Sequence, residues 1–258
     1  AGWQHEYVGR NYSAEVGFVP RKDYIKLNPS LSRLFFPAKG KVLSHGPKIT
    51  SAYYFNTSFQ QTDNQTVLAY VVNFRNQALF DSWVGHDYVE LLAPFEPTNT
   101  GKDSLPAGSK HDWNAWGFDY ISKPQSPFTF GFATRFGGYY ADGRRINIVT
   151  DLGYRFQPYV NIAINTSYNY LDLPQPWGRT DFWLIGPRID VTMTNKLFFT
   201  AFFQYNAQQK NINLNTRFQW RYSPASDLFI VYTDNYYPSP ISIRNRAIVL
   251  KFTYWWNI

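Results

Sequence analysis

The chain has 258 residues, 44% hydrophobic and 20% aromatic, with 25 Lys and Arg against 18 Asp and Glu for a formal net charge of +7. Mean hydropathy is −0.39. The longest apolar run, "VLAYVV" at 67–72, falls far short of the roughly 18 residues of a transmembrane helix. With no such run, any membrane crossing is expected to be made by strands, and the absence of Cys excludes a disulfide framework and a thiolate metal site.

Period-two alternation predicts about fourteen strands, with about 12 to 16 compatible with the pattern. In chain order they fall at 2–9, 23–36, 46–60, 64–75, 78–94, 111–122, 127–139, 144–156, 159–171, 180–193, 196–206, 210–222, 226–234 and 245–258. In "RINIVTDLGYRF", Ile146, Ile148, Thr150, Leu152, Tyr154 and Phe156 share one face, with Arg145, Asn147, Asp151 and Arg155 on the other. "VNIAINTSYNY" and "INLNTRFQWRY" repeat the arrangement, setting Ile162 and Ile164 against Asn161 and Asn165, and Phe218 and Trp220 against Arg217 and Arg221. The last strand, "IVLKFTYWWNI", places Ile248, Leu250, Phe252, Tyr254, Trp256 and Ile258 on alternate positions. About eleven residues at ~3.3 Å each, tilted ~40°, rise nearly 28 Å, enough for the roughly 25 Å apolar band of an outer-membrane barrel.

The connections divide into short ones (157–158, 194–196, 223–226) and mostly longer ones (139–143, 172–179, 206–210, 234–245), which alternate along the chain. Outer-membrane barrels pair short periplasmic turns with longer outer loops, so 91–110, the longest connection, is expected on the outer side. The 22 Phe, 20 Tyr and 9 Trp suit lipid contact and interfacial girdles. A soluble β-sandwich or ligand-binding barrel also alternates, but requires neither this strand length nor this ring content. The expected fold is all-β: a single domain over 1–258, an antiparallel up-and-down transmembrane β-barrel in the bacterial outer membrane.

The stretches "AEVGFVPRKDY" (14–24), "FTFGFATRFGGYYADGRR" (128–145), "NINLNTRFQWRYSPASDLFIVY" (211–232) and "RAIVLKFTYWWNI" (246–258) resemble a family of membrane barrels of unknown function. These are the C-terminal domains of Bacteroidetes-type proteins that carry an N-terminal carbohydrate-binding-family-9-like domain. The resemblance implies a barrel that is the C-terminal part of a longer protein, associated with glycan handling.

With the aromatic faces turned to lipid, the opposite faces carry Arg75, Arg135, Arg145, Arg155, Arg188, Arg217, Arg221 and Lys251, with Asp151 and Asp190. Rings of Arg and Lys in a wet pore favour anions. The same arginines would serve equally to fill a closed barrel by pairing with the two aspartates and with carbonyls. Basic charge in soluble proteins often signals nucleic acid, a partner these strands do not suit. Trp177, Tyr139, Tyr140, Tyr236 and Tyr237, in or beside outer loops, could stack on sugar rings, or could belong to the interfacial girdle.

The dipeptides His86–Asp87 and His111–Asp112 flank the 91–110 loop, but neighbours in a strand face opposite sides and cannot pair. G-x-S-x-G, Walker A, H-E-x-x-H and EF-hand patterns are all missing. No catalytic residue, metal or cofactor is therefore expected. The functional expectation is a porin-like or solute channel with a basic lumen. Its alternative is a plugged barrel acting as membrane anchor or accessory subunit of a glycan-handling or envelope/secretion complex. The expected partners are outer-membrane lipid and other envelope proteins or glycans.

Overall fold

The structure, a computed structural model, describes residues 1–14, 17 and 21–256. The "EVGFVP" part of the first family-like stretch and the last two residues of the expected terminal strand mostly lie outside the described residues. Among those described there is no helix, and so none long and apolar enough to cross a membrane.

Fourteen strands run β1 Gly2–Val8, β2 Tyr24–Ser32, β3 Val42–Phe55, β4 Gln61–Phe74, β5 Leu79–Glu90, β6 Lys110–Ile121, β7 Phe128–Tyr139, β8 Gly143–Phe156, β9 Val160–Asp172, β10 Arg179–Thr192, β11 Leu197–Asn206, β12 Asn211–Ser223, β13 Ser226–Pro238 and β14 Ile241–Phe252. They form one sheet in which each strand neighbours the next in sequence, the up-and-down order. By its contacts the chain divides into two units, Ala1–Ile121 with Ala133–Asn147 and Tyr170–Thr180, and Ser122–Phe132 with Ile148–Asn169 and Asp181–Ile258.

Local chemistry sets where strands stop. Between β7 and β8, Ala141 and Asp142 both take positive φ (51° and 57°), and the Gly143 amide donates to the Tyr140 carbonyl at 3.0 Å. Two left-handed central residues are what a tight hairpin matched to the sheet's twist requires. At the β3–β4 connection the Asn56 side-chain oxygen accepts the amides of Ser58 and Gln60 at 3.0 and 2.9 Å.

One connection departs from the expectation. Residues 234–245 do not form a long outer loop, because β13 and β14 stay paired up to Pro238 and Ile241, leaving only 239–240 between them. A register shift at Asn235/Tyr236 accommodates the extra residue, so the hairpin continues through a stretch whose alternation is broken. The terminal strand in turn ends at Phe252, with one further backbone pair between Thr253 and Asp227. Connection lengths are thus uneven, from the long 91–109 to the tight 140–142 and 239–240.

Register turns alternation into rows. In the first unit Ile49, Leu68, Val84 and Trp116 stand side by side across β3 to β6, and the last three are 50%, 55% and 50% exposed. In the second unit Phe199, Phe218, Ile230 and Leu250 form such a row across β11 to β14, with Leu197, Trp220, Leu228 and Phe252 below it. The converse is a missing core. Buried apolar residues are few and mostly small or in connections, such as Ala78, Leu105, Ala115 and Leu173, and the largest fully buried side chains are Thr98, Asp234 and Ser226. Many of the large apolar side chains are thus exposed.

β7 carries two glycines, Gly137 and Gly138, inside the strand. A Cβ on Gly137 (φ +149°) would lie 2.4 Å from the Asn114 carbonyl oxygen, and one on Gly138 would lie 2.5 Å from Trp113 Cβ. Both glycines let β7 press against β6. Gly137→Val is expected to destabilise the fold by about 2–3 kcal/mol through overpacking at a backbone angle that suits only glycine. The check is a lowered urea midpoint for the loss of heat-modifiable gel mobility in detergent micelles.

Candidate functional site

The face opposite the apolar rows carries the charged side chains, and their surroundings divide them into three kinds. The first kind is tied to carbonyls near turns. Arg75, in the connection after β4, donates to the carbonyls of Gly40 (3.0 Å) and Pro37 (2.8 Å). Arg155, at the end of β8, donates to the carbonyls of Pro124 and Ser126. Both latch turns rather than standing mid-strand.

The second kind is paired. Arg188 holds Asp190 at 2.9 Å, and Thr200 donates to the same carboxylate. Arg221 lies 3.4 Å from Asp227, which also accepts from Gln219. Asp151 accepts from the Asn165 amide. Partly exposed pairs of this kind contribute about 0.5 kcal/mol each and cancel most of their own field.

Arg217 and Lys251 are the third kind, exposed and in no ion pair found among the described residues. Arg217 stands between Thr200 and Val231, and Lys251 opposite Phe229. No neighbouring charge in the pairing quenches them. Arg135 and Arg145, in the first unit, are taken up below.

The acids are also more numerous than the sequence reading assigned. Asp81 and Asp119 face each other directly across β5 and β6, and one Asp81 oxygen is buried without a hydrogen-bond partner. Lys48 lines the same hollow as Asp81 and Trp83. The juxtaposition of these acids depends on the β5–β6 register, which the long connection between them leaves unreadable in sequence. On the apolar side of the second unit, Asp234 is fully covered, accepting from Arg246 (2.6 Å), Tyr232 (2.7 Å) and Tyr236 (2.5 Å).

The aromatic residues considered for sugar stacking are mostly engaged. Trp177 is buried, its indole N–H donating to the Asp103 carbonyl at 2.6 Å, while Lys102 donates to the Trp177 carbonyl. Tyr139 donates to the Pro97 carbonyl (3.3 Å), and Tyr140 packs on Phe95 and Trp113, with ring centroids 4.9 and 4.8 Å apart. Tyr236 is bound to Asp234. Tyr237 stays exposed, with Arg244 over its ring at 5.6 Å. The first three fasten the 91–109 connection, which is closed on itself by a Phe95–Leu105 bridge.

The histidines sit as strand geometry requires. His86 meets Asn114 on one face, while Asp87 on the other accepts from Gln65 and Trp113. His111 Nδ1 accepts the Ala141 amide, so a neutral ring carries its proton on Nε2, 3.0 Å from Ser109 Oγ. A serine nucleophile would need the opposite tautomer, with that nitrogen free to accept. No group of three or more metal-ligating side chains occurs among the described residues.

Within the 91–109 connection, Glu96 accepts from the Thr100 and Gly101 amides (2.9 and 2.8 Å) and from the Thr98 and Thr100 hydroxyls. Burial alone would raise its pKa, but these donors outweigh burial and hold it at about 2, below the ordinary 4.5. The stabilisation is therefore complete above pH 4.5 and disappears as pH falls toward 2. Pepsin cleavage within 91–109 is expected to accelerate across that window in the wild-type protein. Glu96→Gln should already exchange the Thr100 and Gly101 amides about tenfold faster at pH 7.

No protein-family model matches the chain, and a search of curated proteins finds no match.

Proposed function

We propose that this protein is an outer-membrane β-barrel whose charged face lines a solute path with a preference for anions. The observation that carries the membrane part is the inversion of burial. Cross-strand rows of Leu, Ile, Phe and Trp lie exposed, where a soluble protein of this size would bury them in a core. Strands of 12 to 14 residues, as in β3 to β10, suit an apolar band about 25 Å tall. Reconstitution into vesicles with brominated acyl chains tests it. Trp116 and Trp220 on the apolar rows should be quenched strongly, and unquenched fluorescence from folded, vesicle-bound protein would overturn the membrane reading.

The anion preference rests on Arg217 and Lys251. Paired arginines contribute little net field, whereas unpaired cations in a narrow wet path attract anions. In a planar bilayer under a salt gradient, the wild-type reversal potential should show anion preference. The double variant Arg217→Gln, Lys251→Gln should lose most of it while keeping its unfolding free energy from urea titration within about 0.5 kcal/mol, as surface changes usually do. A silent bilayer with inserted protein would instead favour the second reading, a plugged anchor or accessory barrel of a glycan-handling or envelope complex. The fastening of 91–109 to Tyr139, Tyr140 and Trp177 supports that reading, as does the resemblance to barrels with a glycan-binding-like partner domain. On either reading the protein works without catalysis or cofactor, among outer-membrane lipids.

A further inference from the structure

The charged side chains of the first unit leave one cationic group without an assigned purpose. Arg135 sits in β7 and Arg145 near the start of β8, on either side of the tight 140–142 hairpin. Arg135 donates one nitrogen to the Gly138 carbonyl at 2.9 Å. Its other terminal nitrogen, Nη1, is buried and has no hydrogen-bond partner. An orphaned donor on a permanently charged guanidinium is costly, and most such groups in native proteins are satisfied.

The surroundings show what could satisfy it. Arg145 lies over the Tyr139 ring, its Cζ 5.5 Å from the centroid. The two guanidiniums feel each other's charge, and both act on the Tyr139 phenol. The Asp87 carboxylate acts on Arg135, but both its oxygens are already engaged, Oδ1 by Gln65 (2.8 Å) and Oδ2 by Trp113 (2.9 Å). No ion pair to Arg135 occurs among the described residues. Arg135, with a spare buried donor and its neighbouring acid already committed, is therefore short of an acceptor, and a second guanidinium stands over the adjoining Tyr139 ring. Gly137 and Gly138 belong to the same construction, since side chains there would strike Asn114 and Trp113.

We propose that Arg135 and Arg145 form a binding site for an oxyanion carried by a small solute, a phosphate, sulfate or carboxylate group, beside the Tyr139 and Trp113 rings. The planar guanidinium fork matches oxyanions through paired hydrogen bonds and is indifferent to the shape of a halide. This deepens the solute-path reading and rests on it for its biological sense, but binding itself needs no open channel.

The experiment is calorimetric and fluorimetric titration of folded protein in detergent micelles with sodium phosphate, sulfate, acetate and chloride at constant ionic strength. Trp113, whose ring lies 6.1 Å from that of Tyr139, supplies the optical signal. Saturable binding of at least one oxyanion, not competed by equimolar chloride, is expected. Arg135→Gln should weaken it about tenfold or more, Arg145→Lys by less, and Arg217→Gln not at all. Equal affinity for chloride, or an unchanged affinity in Arg135→Gln, overturns the site, as does absence of saturation by any of the four anions. Because the Arg217→Gln, Lys251→Gln double variant tests anion conduction and Arg135→Gln tests binding, the failure of one is separable from the failure of the other. If Arg135→Gln fails to fold, Arg135→Lys retains the charge without the fork and should still lose the preference for oxyanion over chloride.

Discussion

The structure depends on antiparallel register. Along paired strands the backbone polar groups find partners in the neighbouring strand, and side chains stand alternately on the two faces. A row such as Phe199, Phe218, Ile230 and Leu250 exists because β11 to β14 pair in one register. A slip of one residue in any strand would turn its apolar set over to the charged face. Where the surroundings are hydrocarbon, this arrangement is obligatory, since an unpaired peptide group there costs several kcal/mol.

The same constraint shapes the charged face. Arginine in a β-strand cannot move along the sheet to meet a carboxylate, so pairing is decided by what stands opposite or two residues away. Arg188 finds Asp190 on its own strand, and Arg221 finds Asp227 across the β12–β13 pair. Arg217 is offered Thr200 and Val231. Three residues of the same type and similar spacing thus differ in the field they project. A count of basic residues overstates the charge a solute would meet, and the pairing pattern corrects the count. Asp81 and Asp119 add a further correction, giving part of the first unit an acidic character.

Connections in this protein do more than join strands. Residues 91–109 hold themselves together through Glu96 and the Phe95–Leu105 bridge, and bind Trp177, Tyr139 and Tyr140. Aromatic residues that look free beside Pro and Gly in the sequence are therefore occupied in holding that connection. A long connection with its own hydrogen bonds and packed rings behaves as a structural element, and such connections commonly carry function.

Strand number and order were legible in the sequence, because an exposed apolar face and a charged face impose a period of two that no loop imitates over a dozen residues, whereas the expected limits 23–36, 46–60 and 78–94 differ by several residues from β2, β3 and β5. The boundaries of β7, β8, β10 and β12 follow that signal to within a residue or so. The β13–β14 hairpin did not, because the shift at Asn235/Tyr236 breaks the period while the hydrogen bonds continue. Alternation assigns a face to the basic residues within strands, but Arg75, expected on that face, lies in the connection after β4. Which of them are neutralised was not legible, because an ion pair depends on cross-strand partners set by register and on carbonyls presented by turns distant in sequence, as at Arg75 and Arg155. The orphaned nitrogen of Arg135 belongs to the same class. It arises from two glycines that bring β7 against β6 and from an Asp87 already engaged by Trp113, a three-dimensional coincidence that leaves no periodic trace in the chain.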